Sequence, residues 1–293
     1  MKLNTRKVLS VVTMALLASN ISVAVADINL GVLAPRGELK AKKRWNDFAA
    51  YLGAKTGQKF KMVALPPRNT MEAVENGQID FMLTNPVLTA KIEKIHGADL
   101  LATLNKKSGS VFAGVIVAKK GNGIKTGTDL KGKKVMSLKF RAAAGAYTFQ
   151  TYHLHQQGIN PHKDFASMRA GKKQDDLVLA VKAGIIDAAF VRTGILESMQ
   201  KEGKIKIDEF VIVDQHNSDE IKQVHTTDHY PEWYLSAMKG ADKALSEKVK
   251  TAALALKADD AVAKKAKVRG FVKAVPLDGM KAALTALKIA PFK

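Results

Sequence analysis

Apolar residues along this chain fall into two kinds of run, short continuous stretches and longer stretches with apolar positions three or four residues apart. The short runs are typical of strands buried on both faces of a parallel sheet, and the longer ones of amphipathic helices. The short runs predict strands at 28–34, 60–65, 79–83, 100–104, 111–118, 135–138 and 210–213. The longer runs predict helices that begin near 38 and 70, and further helices at 87–95, 141–157, 175–183, 242–257, 259–268 and 278–287.

One pattern occurs twice, at 73–86 and at 180–194. Each copy has a helix that ends at a glycine, an Ile-Asp pair, a buried strand and a polar corner. The corners are Thr84-Asn85-Pro86 and Arg192-Thr193-Gly194. In open α/β sheets, ligands bind beyond the carboxyl ends of the strands. The repeat therefore predicts two α/β lobes that share a crevice.

The order of elements also predicts how the chain divides. We expect the strand at 111–118 to enter the second lobe, and the polar stretch at 214–220 to carry the return. Lobe one would then comprise 27–111 and 217–293, and lobe two 112–216. After Trp233 we expect mainly helices that pack on lobe one. Two crossings between lobes make a hinge.

Two local features accompany this pattern. Asn69, with Glu72 three residues later, is typical of a helix N-cap. Asp80 and Asp187 occupy equivalent places in the two copies of the repeat. We expect them to start their strands and to bind local amides rather than to act as a pair of carboxylates.

The first 26 residues are typical of a cleaved signal peptide. Lys2, Arg6 and Lys7 precede an apolar stretch at 8–17, and small residues at 24–26 favour cleavage before Asp27. A membrane-anchoring helix is the alternative, but polar residues interrupt the segment and no unbroken span of about 20 apolar residues exists. We expect export to the periplasm and a soluble mature protein.

The charge of the chain favours anionic partners. It has 47 basic and 27 acidic residues, a net charge of +20, and removing the three basic residues of the leader leaves 44 minus 27, or +17. The lysines are scattered, as on a solvated surface, whereas the eight arginines are scarce and suit bidentate contacts with oxyanions. The absence of cysteine excludes a disulfide scaffold, a thiolate nucleophile and a zinc–thiolate site.

The sequence offers no recognisable catalytic or metal site. His153 and His155 are two residues apart, so a helix directs them to different faces, and His225 and His229 flank a turn-like segment. Neither His-Glu-x-x-His nor Gly-x-Ser-x-Gly is present. The segment 127–134 has P-loop spacing but carries Lys134 in place of Ser or Thr and precedes a strand. We expect no enzyme activity, no metal and no cofactor.

Donors and positive charge instead collect at predicted strand ends. The small residues at 142–146 would let the amides of a helix N-terminus approach an anion, or would simply allow close packing. Tyr230 and Trp233 would either line the crevice or lie in the core. The remaining candidate ligand contacts are Arg36, Thr84, Asn85, Arg141, Tyr147, Arg192 and Thr193. A salt bridge or a helix cap is the alternative role for each of them.

Five segments together resemble the periplasmic phosphate/phosphite/phosphonate-type substrate-binding proteins of ABC transporters. They are Gly31–Gly37, Gly77–Pro86, Asp129–Val135, Gly184–Gly194 and Tyr230–Trp233. The likeness is greater still to the sensor domains of tetrathionate-type histidine kinases. It implies a two-lobed Venus-flytrap fold of type II with two crossover strands, and an anion in the cleft. The contacts it implies are Pro35, Arg36, Thr84, Asn85, Arg141–Tyr147, Arg192 and Thr193.

One departure affects the expected ligand. Phosphonate binders carry a Ser-x-Ser-Gly run where this chain has Arg141-Ala-Ala-Ala-Gly145, so a sulfur oxyanion competes with a phosphonate-like anion. We expect a monomeric binding protein that serves an inner-membrane ABC permease or a sensor kinase and does not bind nucleic acid. The alternatives are an enzyme on the same scaffold, and a basic protein that binds nucleic acid or lipid surfaces.

Overall fold

The structure is a computed structural model that describes residues 27–35 and 37–293 of the 293-residue chain. The predicted signal segment 1–26 and Arg36 lie outside the described residues. The described part contains two six-stranded sheets. Helices cover both faces of each sheet, and each sheet with its helices is called a lobe below.

The elements follow the predicted alternation of strands and helices. In chain order the strands are β1 (Ile28–Leu33), β2 (Phe60–Leu65), β3 (Phe81–Thr84), β4 (Asp99–Asn105), β5 (Val111–Lys119), β6 (Lys134–Ser137), β7 (Ser167–Ala170), β8 (Ala188–Arg192), β9 (Phe210–Ile212), β10 (His229–Pro231), β11 (Tyr234–Ala237) and β12 (Gly270–Lys273). The α-helices are α1 (Glu38–Thr56), α2 (Thr70–Glu75), α3 (Pro86–His96), α4 (Phe149–Gln156), α5 (Pro161–Asp164), α6 (Gln174–Lys182), α7 (Ile195–Lys201), α8 (Lys243–Ala255), α9 (Ala261–Ala266) and α10 (Asp278–Ala286). Short 3-10 turns lie at Gly127–Leu130 and Ile207–Glu209, and a π-helical turn at Ala144–Thr148.

The two sheets have related orders. The first sheet is β12-β4-β11-β3-β1-β2, in which β1 pairs in parallel with β2 and β3 while β11 is antiparallel to β3 and β4. The second is β10-β5-β8-β6-β7, with β9 also paired to β5. There β6 is parallel to β7 and β8, and β5 is antiparallel to β8. Parallel neighbours joined through helices are the expected product of strand–helix alternation.

Each sheet is buried between two layers of helices. In lobe one, α1, α8 and α9 cover one face, where Phe48 stacks on Phe271 with ring centroids 5.2 Å apart, and α2 and α3 cover the other. In lobe two, α6 and α7 lie on one face and α4 on the other. Each fully buried apolar side chain contributes about 1.5–3 kcal/mol, so these layers hold the strand ends in place.

A further hydrophobic cluster contains residues of both lobes. Val87 and Ala90 of α3 lie in the same cluster as Ala144 and Phe149 of lobe two. Helix α10 packs against both α3 and α4, and its Met280 lies in this cluster. The two lobes are therefore joined by apolar packing as well as by the chain crossings.

The two copies of the repeat use their aspartates in the same way. Asp80 donates its amide to Asn29 O and accepts the Asn29 amide at its carboxylate, at 3.0 and 2.7 Å. Asp187 does the same with Lys134, at 2.9 and 2.7 Å. These partners lie at the start of the neighbouring strand, not nearby in sequence as predicted. Each aspartate therefore fixes the register of β1 or β6 beside the repeat strand.

The structure differs from the predicted elements in three further places. The chain after Trp233 contributes β11 and β12 to the first sheet as well as helices. The sequence analysis missed these strands because each has only four residues, too few to show a period. Asn69 precedes α2 but makes no side-chain cap. The strand β10 pairs with β5 of the second sheet, so the chain returns to lobe one after Pro231 rather than at the predicted residue 217.

Replacing each aspartate of the repeat tests the contribution of these paired hydrogen bonds to stability. We expect Asp80→Ala to lower the free energy of unfolding by about 1–3 kcal/mol, because the half-buried Asn29 amide loses its acceptor. Asp187→Ala should cost less, because its bond to the Lys134 amide is exposed to water. Asp80→Asn, which keeps an acceptor oxygen, is the control in urea unfolding. Equal losses for the two alanine variants would contradict this account.

Candidate ligand-binding site

The strand ends of the two lobes face each other across the chain crossings. Both β3 and β4 are antiparallel to β11, so Thr84 and Asn105 lie at the same edge of the first sheet. In the second sheet, Arg192 pairs with Gly114 near the start of β5, and Pro231 pairs with Val111. The chain joins these two edges directly, from β4 to β5 and from β10 to β11.

The Thr84-Asn85 corner closes lobe one at this edge. The side-chain oxygen Oδ1 of Asn85 accepts hydrogen bonds from the amides of Val87 and Leu88, at 3.0 and 3.1 Å, and thereby caps α3. Its side-chain amide donates to Ala142 O of lobe two at 3.2 Å. The Thr84 hydroxyl is buried and has no hydrogen-bond partner within the described part of the chain. Asn85 is thus both a helix cap and a contact between lobes.

Arg141 lies at the rim where α3 meets lobe two. Its backbone has a positive φ of 60°, its side chain is exposed, and its carbonyl oxygen accepts a hydrogen bond from Lys91 Nζ at 2.8 Å. Burial lowers the pKa of Lys91, and the positive charges of Arg141 and Lys139 lower it further. This bend replaces the predicted first helical turn, because the helix itself begins at Ala144.

The start of that helix lies beside Arg192 and departs from helical geometry at Ala146, where φ is −131° and ψ is 21°. The first hydrogen bonds of the helix run from Thr148 N to Ala143 O and from Phe149 N to Ala144 O, so the amides before Thr148 have no acceptor within the helix. A Cβ atom on Gly145 would lie 2.7 Å from Phe112 Cε2 and 3.0 Å from Arg192 Cβ. Only glycine allows this approach of the helix to Arg192.

The Arg192-Thr193 corner is held by three groups. The Arg192 amide donates to Gln174 Oε1 at 2.7 Å, and its guanidinium donates to Thr193 O at 2.8 Å. The Thr193 amide donates to Ala113 O at 3.0 Å, and the Thr193 hydroxyl accepts from the Ala113 amide at 3.3 Å. Thr193 therefore fastens the corner to β5, and Arg192 stands at the strand end as predicted.

Tyr147 lies in an aromatic group within lobe two. Its hydroxyl is 2.8 Å from His162 Nε2, and its ring centroid is 5.0 Å from that of Phe140. Burial raises the pKa of Tyr147 and lowers that of His162. These contacts give the predicted ligand residue a packing role that the sequence did not indicate.

The candidates from the first lobe and the second crossing differ in exposure. Pro35 is exposed at the end of β1, beside Arg36, which is not among the described residues. Trp233 is partly buried and packs against clusters on both faces of the first sheet. Its carbonyl oxygen accepts the amide of Leu104 at 2.8 Å. Trp233 therefore packs against the core of lobe one, which is one of the two roles that the sequence left open.

Sequence reasoning missed an ion pair between the two crossings. Lys106 Nζ of the first crossing lies 2.6 Å from Glu232 Oε1 of the second, with the side chains 20% and 2% exposed. Burial lowers the pKa of Lys106 to about 8; Glu232 opposes this shift, and the charges of Arg192 and Arg44 add to it. Glu232 Oε2 is buried and has no hydrogen-bond partner among the described residues. A lysine and a glutamate in opposite crossings were the signal that could have found the pair.

Other surface features lie away from this location. A groove of about 710 Å³ lies beside β9, whose pairing with β5 is at the end remote from the strand ends described above. Within residues 27–35 and 37–293, no group of three or more histidine, aspartate or glutamate side chains is arranged to hold a metal ion. No helix in those same ranges is both long and apolar enough to cross a membrane.

Two sheets joined by two crossings, with strand ends facing each other, define the class of two-lobed α/β binding proteins, and this confirms the fold predicted from the sequence. Residues 30–278 match the family described as "ABC transporter, phosphonate, periplasmic substrate-binding protein", and the chain belongs to this family. The family is periplasmic and its members bind substrates rather than transform them.

Three relatives illustrate the likeness. The tetrathionate sensor histidine kinase of Salmonella typhimurium is 29% identical over 227 residues, which are 75% of this chain and 38% of that protein. Of solved structures, PhnD1 from Prochlorococcus marinus in complex with methylphosphonate has a TM-score of 0.71 at 15% identity, covering 89% of this chain and 98% of that one. A binding protein component of an ABC phosphonate transporter from Pseudomonas aeruginosa has a TM-score of 0.68 at 15% identity, covering 89% and 85%.

Replacing Gly145 tests the close contact at the helix start. We expect Gly145→Ala to destabilise the protein by about 1–3 kcal/mol in urea unfolding, because the new methyl group displaces Phe112 or Arg192. Gly279→Ala, in the first turn of α10 with no atom near its Cβ position, is the matched control. It should be neutral or stabilising by up to about 1 kcal/mol. An unchanged midpoint for Gly145→Ala would contradict the packing described.

Proposed function

We propose that this protein captures a small oxyanion between its lobes and presents it to a membrane partner. The observation that carries the proposal is the close approach of the helix start to Arg192, whose Cβ atom lies 3.0 Å from the position that a Cβ on Gly145 would occupy. The guanidinium of this residue and the amides of the helix start would supply charge-assisted donors.

The anion in this proposal is phosphonate- or phosphite-like, or a sulfur oxyanion. The family and PhnD1, whose structure contains methylphosphonate, support the first kind. The tetrathionate sensor kinase supports the second. The residues Ala142 to Ala144 provide no hydroxyl groups for a phosphonate, so backbone amides and positive charge would provide the recognition.

The partner in this proposal is an inner-membrane ABC permease, as for the family. The second candidate is a membrane histidine kinase that senses the loaded protein, which the sensor kinase relative favours, although this chain spans only 38% of its length. Stimulation of ATP hydrolysis by a reconstituted permease would support transport, and stimulation of kinase autophosphorylation would support sensing. The protein would act as a monomer in the periplasm and would not bind nucleic acid.

The lobes in this proposal move as two bodies about the two crossings. Lobe one would comprise 27–111 with the C-terminal segment, and lobe two 112–216 with the strand β10 that the pairing adds to it. Thr84, Asn85, Arg141, Arg192 and Thr193 would then approach the anion as the lobes close, with Pro35, Arg36, Tyr147 and Trp233 as the remaining candidate contacts.

A thermal-shift screen of the protein without residues 1–26 tests the function. The panel contains methylphosphonate, phosphite, sulfate, thiosulfate and tetrathionate. By mass action, an anion at 100 times its dissociation constant adds about 2.7 kcal/mol of stability. We expect Arg192→Gln to abolish the shift without unfolding the protein, because the guanidinium is lost. Arg192→Lys should retain part of it, because the charge remains but the planar fork does not.

The matched control for this screen is Arg169→Gln. Arg169 is an exposed arginine on β7, the edge strand of the second sheet, which β6 separates from β8 and Arg192. It should leave the shift unchanged. A shift that persists in Arg192→Gln would remove Arg192 from the site, and a wild type that no oxyanion stabilises would overturn the proposed function.

A further inference from the structure

Gln150, in the first turn of α4, is a polar side chain in the interior of lobe two. The residue is fully buried, with 0% of its surface exposed. Its side-chain Nε2 lies 2.8 Å from Val191 O, 2.9 Å from Gly145 O and 3.2 Å from Val115 O. These carbonyl oxygens belong to β8, to the helix start and to β5. One carboxamide group therefore joins the helix start to the two strands beside it.

Gly114 makes room for this carboxamide group. A Cβ atom on Gly114 would lie 2.6 Å from Gln150 Cδ, so a larger residue there would displace the side chain. Gly114 is also the residue of β5 that pairs with Arg192 of β8. The carboxamide group therefore packs against the pair of strand residues that includes Arg192.

The first peptide group that Gln150 holds lies at the helix start. A peptide group is planar, and its C=O and N–H point in opposite directions. The Gly145 carbonyl shares its plane with the N–H of Ala146, which has no hydrogen-bond acceptor within the described part of the chain. Ala146 is buried, and buried amides without a partner are rare. By binding Gly145 O, Gln150 sets the direction of an unpaired amide.

The second peptide group leads into Arg192. Its carbonyl, Val191 O, accepts from Gln150 Nε2, and its N–H, that of Arg192, donates to Gln174 Oε1 at 2.7 Å. Two glutamine side chains thus hold this peptide group from opposite sides. They fix the backbone from which the Arg192 side chain extends.

An apolar residue would serve a purely structural role better than Gln150. Its Oε1 atom is buried and has no hydrogen-bond partner among the described residues. A buried acceptor without a donor costs stability. Proteins keep local conflicts of this kind mainly at functional sites, where the placement of groups matters more than stability.

We propose that Gln150 is a positioning residue of the ligand site, whose carboxamide group holds the Ala146 amide and the Arg192 backbone in the relative positions that oxyanion binding requires. This inference rests on the proposed function. The competing account is that Gln150 only stabilises the packing of α4 on the sheet. The two accounts differ in whether the affinity changes in a protein that remains folded.

Calorimetric titrations with methylphosphonate, phosphite, thiosulfate and tetrathionate at about pH 7 compare the wild type with Gln150→Met. Methionine is similarly long and unbranched but has no N–H donor. We expect binding to be at least tenfold weaker, as with the outer partners that orient metal ligands, whose loss costs about 10–100-fold in affinity. Urea unfolding shows whether the variant is folded under the conditions of the titration. Gln156→Met, at an exposed position of the same helix, is the matched control and should bind as the wild type does.

Gln150→Glu tests the hydrogen-bond donor itself and serves if Gln150→Met does not fold. A neutral carboxyl group has one O–H donor, whereas a carboxylate has none and would face three carbonyl oxygens. Low pH favours the neutral form. We expect the affinity of Gln150→Glu, divided by that of the wild type, to rise at least threefold from about pH 8.5 to about pH 5. This ratio cancels any change in the protonation of the anion itself.

Two results would overturn the inference, and they are distinguishable. If the wild type binds an anion and either folded variant of Gln150 binds it within twofold at every pH tested, Gln150 is structural while the proposed function stands. If the wild type binds none of the four anions, the proposed function fails and this inference fails with it.

Discussion

The constraint on which this structure depends is that the chain enters and leaves each sheet at the same edge. Because β4 and β10 end where β5 and β11 begin, the carboxyl ends of β3 and β8 are brought to face each other. Polar groups at those ends lie between the hydrophobic cores of the two lobes and need hydrogen-bond partners there. The pairing of Lys106 with Glu232, the capping of α3 by Asn85 and the hydrogen bond from the Arg192 guanidinium to Thr193 O meet that need within the protein.

Contacts between the lobes exist before any ligand is considered. Two donors of α3 and its cap reach consecutive carbonyls of lobe two, Lys91 to Arg141 O and Asn85 to Ala142 O. Behind them lies the apolar cluster that joins α3, α4 and α10. The described arrangement is therefore held together by its own packing. In the proposed function, the oxyanion would supply only the difference between this packing and that of an open form, because a ligand shifts a conformational equilibrium by its differential affinity for the two states.

The sequence predicted the elements that carry a clear period and missed those that do not. The strand Phe60–Leu65 and the helix from Glu38 agree with the structure, whereas β11 and β12 are four residues each and lack any pattern of their own. The positions of Arg192 and Thr193 followed from the repeat. The roles of Asp80 and Asp187 did not, because their partners lie 51 and 53 residues away and register between strands is not visible in one segment.

The same limit explains why the candidate site was predicted only in part. Strand-end motifs show where donors collect, but the balance of charge depends on residues that the fold brings together from separate loops, such as Lys106 and Glu232. This balance bears on the ligand. With alanines where phosphonate binders carry hydroxyls, few side-chain hydrogen bonds remain at the helix start to distinguish a phosphorus from a sulfur oxyanion. In the proposed function, recognition by backbone amides and Arg192 would select chiefly for negative charge, which oxyanions of both elements carry, and would discriminate by charge before it discriminates by chemistry.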